Sequence, residues 1–411
     1  MHDVRGGKGA MTPIAPAERI EALDVIRGAA LFGIIAANMR AFNTPQPAYF
    51  NHFLMWTGTG DRAVQSLIDL FITGKFVTLF SFLFGVGFAV QMDRASARGV
   101  SPRPFYLRRL GVLLVIGLAH MFLLWWGDIL TAYALAGFFL LLFRDQSQRT
   151  VLLWAGILYA WPLILSGAAL AVSTGGAHLP MPVNESPAEL RRIVDIFARG
   201  TYAQMFHERV GEAALNLASL FAFYPRSLGL FLFGLWTWRS GVIQQLGTQE
   251  ALLKRCRNWG LVVGLAGSGA VLAIDEVFHP DPVSFNTAGF VAHWLSSLGT
   301  PALSLFYAST LALLSIRTDW RPRLHPFAAV GRMPLTNYLL QTAVCTTLFN
   351  SWGFGLYGKV GPLVGLAPTF MIYGAELAGS LWWISRFTFG PMEWLWRSLT
   401  YGRTMALRAA A

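Results

Sequence analysis

Residues 106–144 read YLRRLGVLLVIGLAHMFLLWWGDILTAYALAGFFLLLFR, two apolar runs with only Gly127-Asp128 to turn the chain between them. Each run approaches the roughly 20 residues that a helix needs to cross a bilayer's hydrocarbon core. Neither alternates polar and apolar positions as a barrel strand does. The stretch therefore reads as an antiparallel helical hairpin with Trp125 and Trp126 at headgroup depth. Further runs of this kind lie near 22–42, 66–92, 150–173, 214–238, 258–277, 287–316, 326–350 and 361–386. With the hairpin's 106–125 and 128–144, the expected fold is all-α, a polytopic membrane bundle of about 10 transmembrane helices.

Composition agrees. Apolar residues make up 55% of the 411-residue chain and charged residues 13%, against about 25% charged in a soluble domain. Of the 32 Lys and Arg residues, 23 collect in alternate gaps: Arg5 to Arg27, Arg94 to Arg109, Arg144 and Arg149, Arg239 to Arg257, Arg317 to Arg332, and Arg386 to Arg408. By the positive-inside rule these gaps are cytoplasmic, which puts both termini in the cytoplasm of a bacterial inner membrane. The net charge of +11 is then an orientation signal. No basic run interleaves with exposed aromatics, so nucleic acid is excluded as a partner. The run Ala29 to Ala37 has the length of a signal-peptide core but opens a series of similar runs, and is expected to remain as the first span.

The expected organisation is a cytoplasmic segment 1–21, a bundle of five spans over 22–173, a periplasmic segment 174–213, a second bundle over 214–390, and an interfacial tail 391–411. Within the periplasmic segment, Ser186-Pro187-Ala188-Glu189 has the form of a helix start. Leu190, Ile193, Val194 and Phe197 follow at helical spacing up to Gly200. This predicts an amphipathic helix lying on the membrane surface or serving as a lid. Cys256 and Cys345 fall in a cytoplasmic gap and a span interior, so no disulfide is expected.

Ionisable and polar side chains at membrane depth are costly and mark candidate sites. Asp24 and Arg27 share a face of span one, as an anchoring ion pair or a substrate contact. Asn38 lies about three turns beyond Arg27 and suits either interhelical bonding or stabilisation of a developing oxyanion. Lys75 either snorkels outward or charges the bundle interior. Arg332, Asn337 and Gln341 mark span nine, and Asn337 and Gln341, four apart, face one way. Glu376 is the lone acid of span ten. In the tail, Glu393 and Arg397 are one turn apart.

The strongest constellation is His120 before the tight turn and Asp128 after it. A carboxylate that orients an imidazole is the arrangement for general-base removal of a proton from a hydroxyl or amine. The bland alternative is an aromatic interfacial cluster with Asp128 capping the next helix. His52, in the first outer loop, is a competing base. His178, His207, His279 and His293 lack metal-ligand spacing, so no metal is expected, and no nucleotide-binding loop occurs.

These segments resemble the YeiB-like bacterial membrane family, a domain of unknown function. The likeness rests on Leu23-Asp24-Val25-Ile26-Arg27-Gly28, Lys75 to Gly85, His120 to Tyr133, Gly331 to Gln341, and Gly390 to Gly402. The opening is also similar to transmembrane acyltransferases that acetylate heparan-sulfate glucosamine from cytosolic acetyl-CoA. That similarity implies a catalytic Asn at Asn38 and a catalytic His at His52, although the spacing is slightly longer here. His120 belongs to the YeiB-like strings themselves.

Two functions follow as expectations. One is an acyltransferase passing an acyl group from cytosolic acetyl-CoA or acyl-CoA, a co-substrate rather than a tightly bound cofactor, to a periplasmic acceptor. The other is a transporter or channel for a small, anionic metabolite, with Arg27, Lys75 and Arg332 along its path. The expected partners are the bilayer, a small-molecule substrate and, as an open option, a second copy in a homodimer.

Overall fold

The structure is a computed structural model that describes residues 20–50, 55–97, 99, 101–174, 186–278 and 286–408. In chain order its helices begin with α1 (Glu21–Ala41), α2 (Gln46–Phe50), α3 (Thr59–Phe71), α4 (Lys75–Ala97), α5 (Pro102–Leu123) and α6 (Leu130–Leu140). Next come α7 (Gln148–Thr174), α8 (Pro187–Arg199), α9 (Tyr202–Ala218), α10 (Leu220–Arg239) and α11 (Glu250–Phe278). The last are α12 (Thr287–Ile316), α13 (Arg321–Gly331), α14 (Pro334–Phe349), α15 (Pro362–Ile384) and α16 (Pro391–Tyr401). The protein is an all-helical membrane bundle, with no strand among the described residues.

Among the described residues, six stretches are long and apolar enough to cross a membrane: α1, α3 with α4, α5, α7, α11 and α12. A seventh arises if Tyr202–Ala222 and Tyr224–Arg239, bent by 57°, count as one span. Three of the other expected segments are short or broken for local reasons. Helix α6 is only 11 residues long and tightens into a 3-10 turn at Leu141–Phe143. The 57° bend lies near the start of α10, just before Pro225, which has no N–H for the helical ladder. The expected span 326–350 is two helices, because Pro334 starts a new one after Arg332 and Met333.

Helix α1 runs through the middle, packed on α4, α12, α13 and α15. Its crossing with α13 is backbone on backbone: a Cβ on Gly28 would lie 1.9 Å from the Phe327 carbonyl oxygen, and one on Gly331 would lie 1.8 Å from that of Asp24. Only glycine permits that approach. A second core joins α4, α5, α6 and α10 through Phe88, Tyr106, Leu110, Tyr133 and Phe231.

The helix start read at Ser186 is present. Ser186 Oγ accepts the Glu189 N–H at 3.2 Å, and the helix ends at Gly200. It does not float on the surface. Leu190, Ile193 and Phe197 are buried, and Phe197 stacks on Tyr357 at 4.9 Å, so α8 covers the Trp125–Trp126 end of the bundle.

Candidate functional site

The hairpin turn brings His120 and Asp128 together. His120 Nδ1 lies 2.9 Å from Asp128 Oδ1, and both side chains are buried. Asp128 Oδ2 accepts the Thr131 N–H at 2.7 Å, so the same carboxylate orients the imidazole and caps the following helix. With Oδ1 facing Nδ1, the ring proton is assigned to Nδ1. The lone pair is then on Nε2, which lies 2.9 Å from Thr342 Oγ1. Thr342 directly follows the Gly331-to-Gln341 run and escaped the sequence reading. No sequence signal marks it: its place one turn beyond Tyr338 gains meaning only once the fold sets His120 beside it.

A cavity of about 480 Å³ penetrates the bundle from its Arg-rich end. Arg27, Arg94, Arg109, Arg332 and Arg397 line it, with Asp24, Asp93 and Glu393 among them. Deeper, the wall is apolar, formed by Leu31, Ile34, Leu113, Ile129 and Leu130. From Asp24 to Ile34 the wall follows α1 for about 15 Å. Tyr338 lines the cavity, and its ring centroid lies 5.2 Å from that of the His120 imidazole, which is not itself in the lining. The Tyr338 hydroxyl donates to the Gly127 carbonyl at 3.2 Å.

Asp24 and Arg27 pair as their spacing implied, Arg27 Nη1 donating to Asp24 Oδ1 at 2.7 Å. Glu393, expected beside Arg397, directs its oxygens to the start of α14. Oε1 accepts the Leu335 and Thr336 N–H groups at 2.6 and 3.1 Å, and Oε2 accepts the Thr336 hydroxyl at 2.5 Å. The tail helix therefore satisfies the orphan donors created by the break at Pro334. Burial raises the Glu393 carboxyl above the ordinary value, opposed by these hydrogen bonds. The same helix offers Trp396, whose ring lies under the Arg109 guanidinium at 3.6 Å.

Other candidates lie elsewhere. Lys75 is buried at the start of α4, its Nζ donating to the Asp69 carbonyl at 2.6 Å, and it does not line the cavity. The preceding Gly74 has φ +79°, which turns the chain from α3 into α4. Gln341 donates to Glu376 Oε2 at 2.9 Å, and Asn337 donates to Ser380 Oγ at 3.1 Å, so these amides tie α14 to α15. Asn38 is half-buried near the far end of α1 and outside the cavity lining. His52, with His178 and His279, lies outside the described residues. No cluster of three metal-binding side chains occurs among the described residues.

At the opposite end, a pocket of about 10 Å³, room for a single water, is lined by Trp125, Trp126, Arg209, Glu212, Thr346 and Tyr357. Glu212 is buried, and neither of its carboxyl oxygens has a hydrogen-bond partner. Arg209, also buried, donates to the Leu123 carbonyl at 2.8 Å. Neither residue was singled out from the sequence, because α9 reads as an ordinary amphipathic segment.

Comparison with known proteins places this geometry in a family. Residues 237–403 match the model of a protein family of unknown function, DUF418. The chain is 34% identical to the uncharacterized protein YxaH of Bacillus subtilis (strain 168), over 95% of this chain and 96% of that one. It is 31% identical to the uncharacterized protein YeiB of Escherichia coli (strain K12), over 93% and 96%.

Proposed function

This chain belongs to the YeiB-like DUF418 family, and from that premise we propose that it is an acyl-CoA-dependent membrane acyltransferase. The carrying observation is the pairing of a buried base with a cavity of matching character. His120, oriented by Asp128, packs against Tyr338, which lines a cavity whose mouth is cationic and whose depth is apolar. Guanidinium groups suit the phosphates of CoA, and the apolar depth suits an acyl chain. The orientation proposed is the positive-inside one, in a bacterial inner membrane: the Arg-rich end faces the cytoplasm, where acyl-CoA is made, and both termini are cytoplasmic.

In this function His120 Nε2 removes the proton of the attacking hydroxyl or amine, and Asp128 holds the tautomer that leaves Nε2 free. Asp24 and Arg27 would contact the donor at the cavity mouth with Arg332. The transporter alternative has less support, because Lys75 is engaged at Asp69 and does not join Arg27 and Arg332 in one lining.

The test is equilibrium binding of acetyl-CoA and decanoyl-CoA to the purified full-length chain. Saturable binding, competed by free CoA and weakened by Arg109→Ala or Arg397→Ala, is expected. Absence of saturable binding, together with metabolite flux into liposomes, would favour the transporter.

A further inference from the structure

Thr342 departs from the two threonines that follow it on α14. Thr346 and Thr347 donate to the carbonyls four residues back at 2.8 and 2.7 Å, the usual resting place of a helical threonine hydroxyl. The corresponding Thr342 contact, to Tyr338, is stretched to 3.3 Å, while His120 Nε2 lies at 2.9 Å. The hydroxyl is thus drawn toward the imidazole. Nucleophile, base and carboxylate orienter stand in line, the constellation of covalent catalysis.

Position makes the same case. One turn toward the Arg-rich end, Tyr338 lines the large cavity, and one turn the other way, Thr346 lines the small pocket. Thr342, completely buried, therefore separates the two spaces by about 6 Å of helix rise on either side. A donor in the large cavity and an acceptor hydroxyl or amine reaching in from the small-pocket side, where there is room for a water-sized group, have this hydroxyl as their midpoint.

We infer that Thr342 is a covalent relay that carries the acyl group as an ester between the two sides. The step presupposes transfer from acyl-CoA, the function proposed above. Thr342 Oγ1 attacks the thioester carbonyl as its proton passes to His120 Nε2. The C–S bond breaks, and the thiolate leaves with that proton as free CoA. The acceptor hydroxyl or amine then attacks the threonyl ester, giving its proton to Nε2, which returns it to Thr342 Oγ1 as the C–O bond breaks. Tyr338 must swing aside for the thioester to arrive.

The experiment incubates the full-length chain with acetyl-CoA or decanoyl-CoA, no acceptor added, followed by denaturation, digestion and mass spectrometry. One acyl group is expected on the peptide bearing Thr342, with one CoA thiol released per acylated chain. Thr342→Val and His120→Ala should lose both signals yet still bind acyl-CoA, which shows that they fold. Thr342→Ser should restore the adduct. If the wild-type chain binds acyl-CoA but Thr342 stays unmodified, or the acyl group sits on another residue, the relay is refuted and the acyltransferase function survives. If the chain binds no acyl-CoA, both fail.

Discussion

Replacing Glu393 by alanine tests whether the tail helix holds the broken span together. The carboxylate accepts two backbone N–H groups and one hydroxyl from the first turn of α14, and Leu335 is buried. An unpartnered buried donor costs about 1–3 kcal/mol, and loss of a helix cap roughly 0.5–2 kcal/mol. Removing the buried carboxyl recovers part of this, so Glu393→Ala is expected to cost about 2 kcal/mol. Glu393→Gln keeps one carbonyl oxygen for the N–H groups and should lose less than half as much. Because burial raises this carboxyl in the folded chain, the folded state holds the proton more tightly than the unfolded one. Its titration therefore favours the fold at low pH and loses that contribution as pH rises through the raised value. The glutamine variant should lack that dependence. Thermal unfolding of the full-length protein in detergent across pH reads all three effects. Equal losses for alanine and glutamine, or none for alanine, would refute the capping role.

Gly28→Ala and Gly331→Ala should each destabilise by about 1–3 kcal/mol through forced separation of α1 and α13. The double variant should lose less than the sum, because one displacement relieves both clashes; strict additivity in thermal unfolding would reject a shared crossing. A double-mutant cycle on Asp24 and Arg27 should show non-additive losses, since each charge is the other's ion-pair partner at 2.7 Å; additive losses would mark them as independent. A cysteine at Ser101, on a background lacking Cys256 and Cys345, should react with impermeant reagents only from the cytoplasmic side; labelling from outside would reverse the orientation.

Much of this arrangement was legible in the chain. The Gly127-Asp128 turn requires that the helices on either side fold back, so the meeting of His120 and Asp128 followed from spacing alone. The Asp24–Arg27 pair, three residues apart on one helix, was equally local. What stayed hidden depends on contacts distant in sequence. Thr342 approaches His120 from 222 positions away, and a lone threonine in an apolar run carries no signal of its own. Glu393 suggested a local pair with Arg397, but the break at Pro334 leaves backbone donors nearby that compete for the same carboxylate. Hydropathy likewise registers apolar length and not the breaks at Pro225 and Pro334, so it does not show which expected segments are unbroken helices.

The most direct measurement follows release of free CoA thiol from acetyl-CoA and decanoyl-CoA by membranes carrying the chain, with binding measured in parallel. His120→Ala is expected to lower release by about 10²–10⁴-fold, the usual contribution of a general base, with acyl-CoA affinity unchanged, and Asp128→Asn should lower it less. Full release from His120→Ala, with loss instead in His52→Ala, would place the base in the first loop and contradict the assignment to the hairpin.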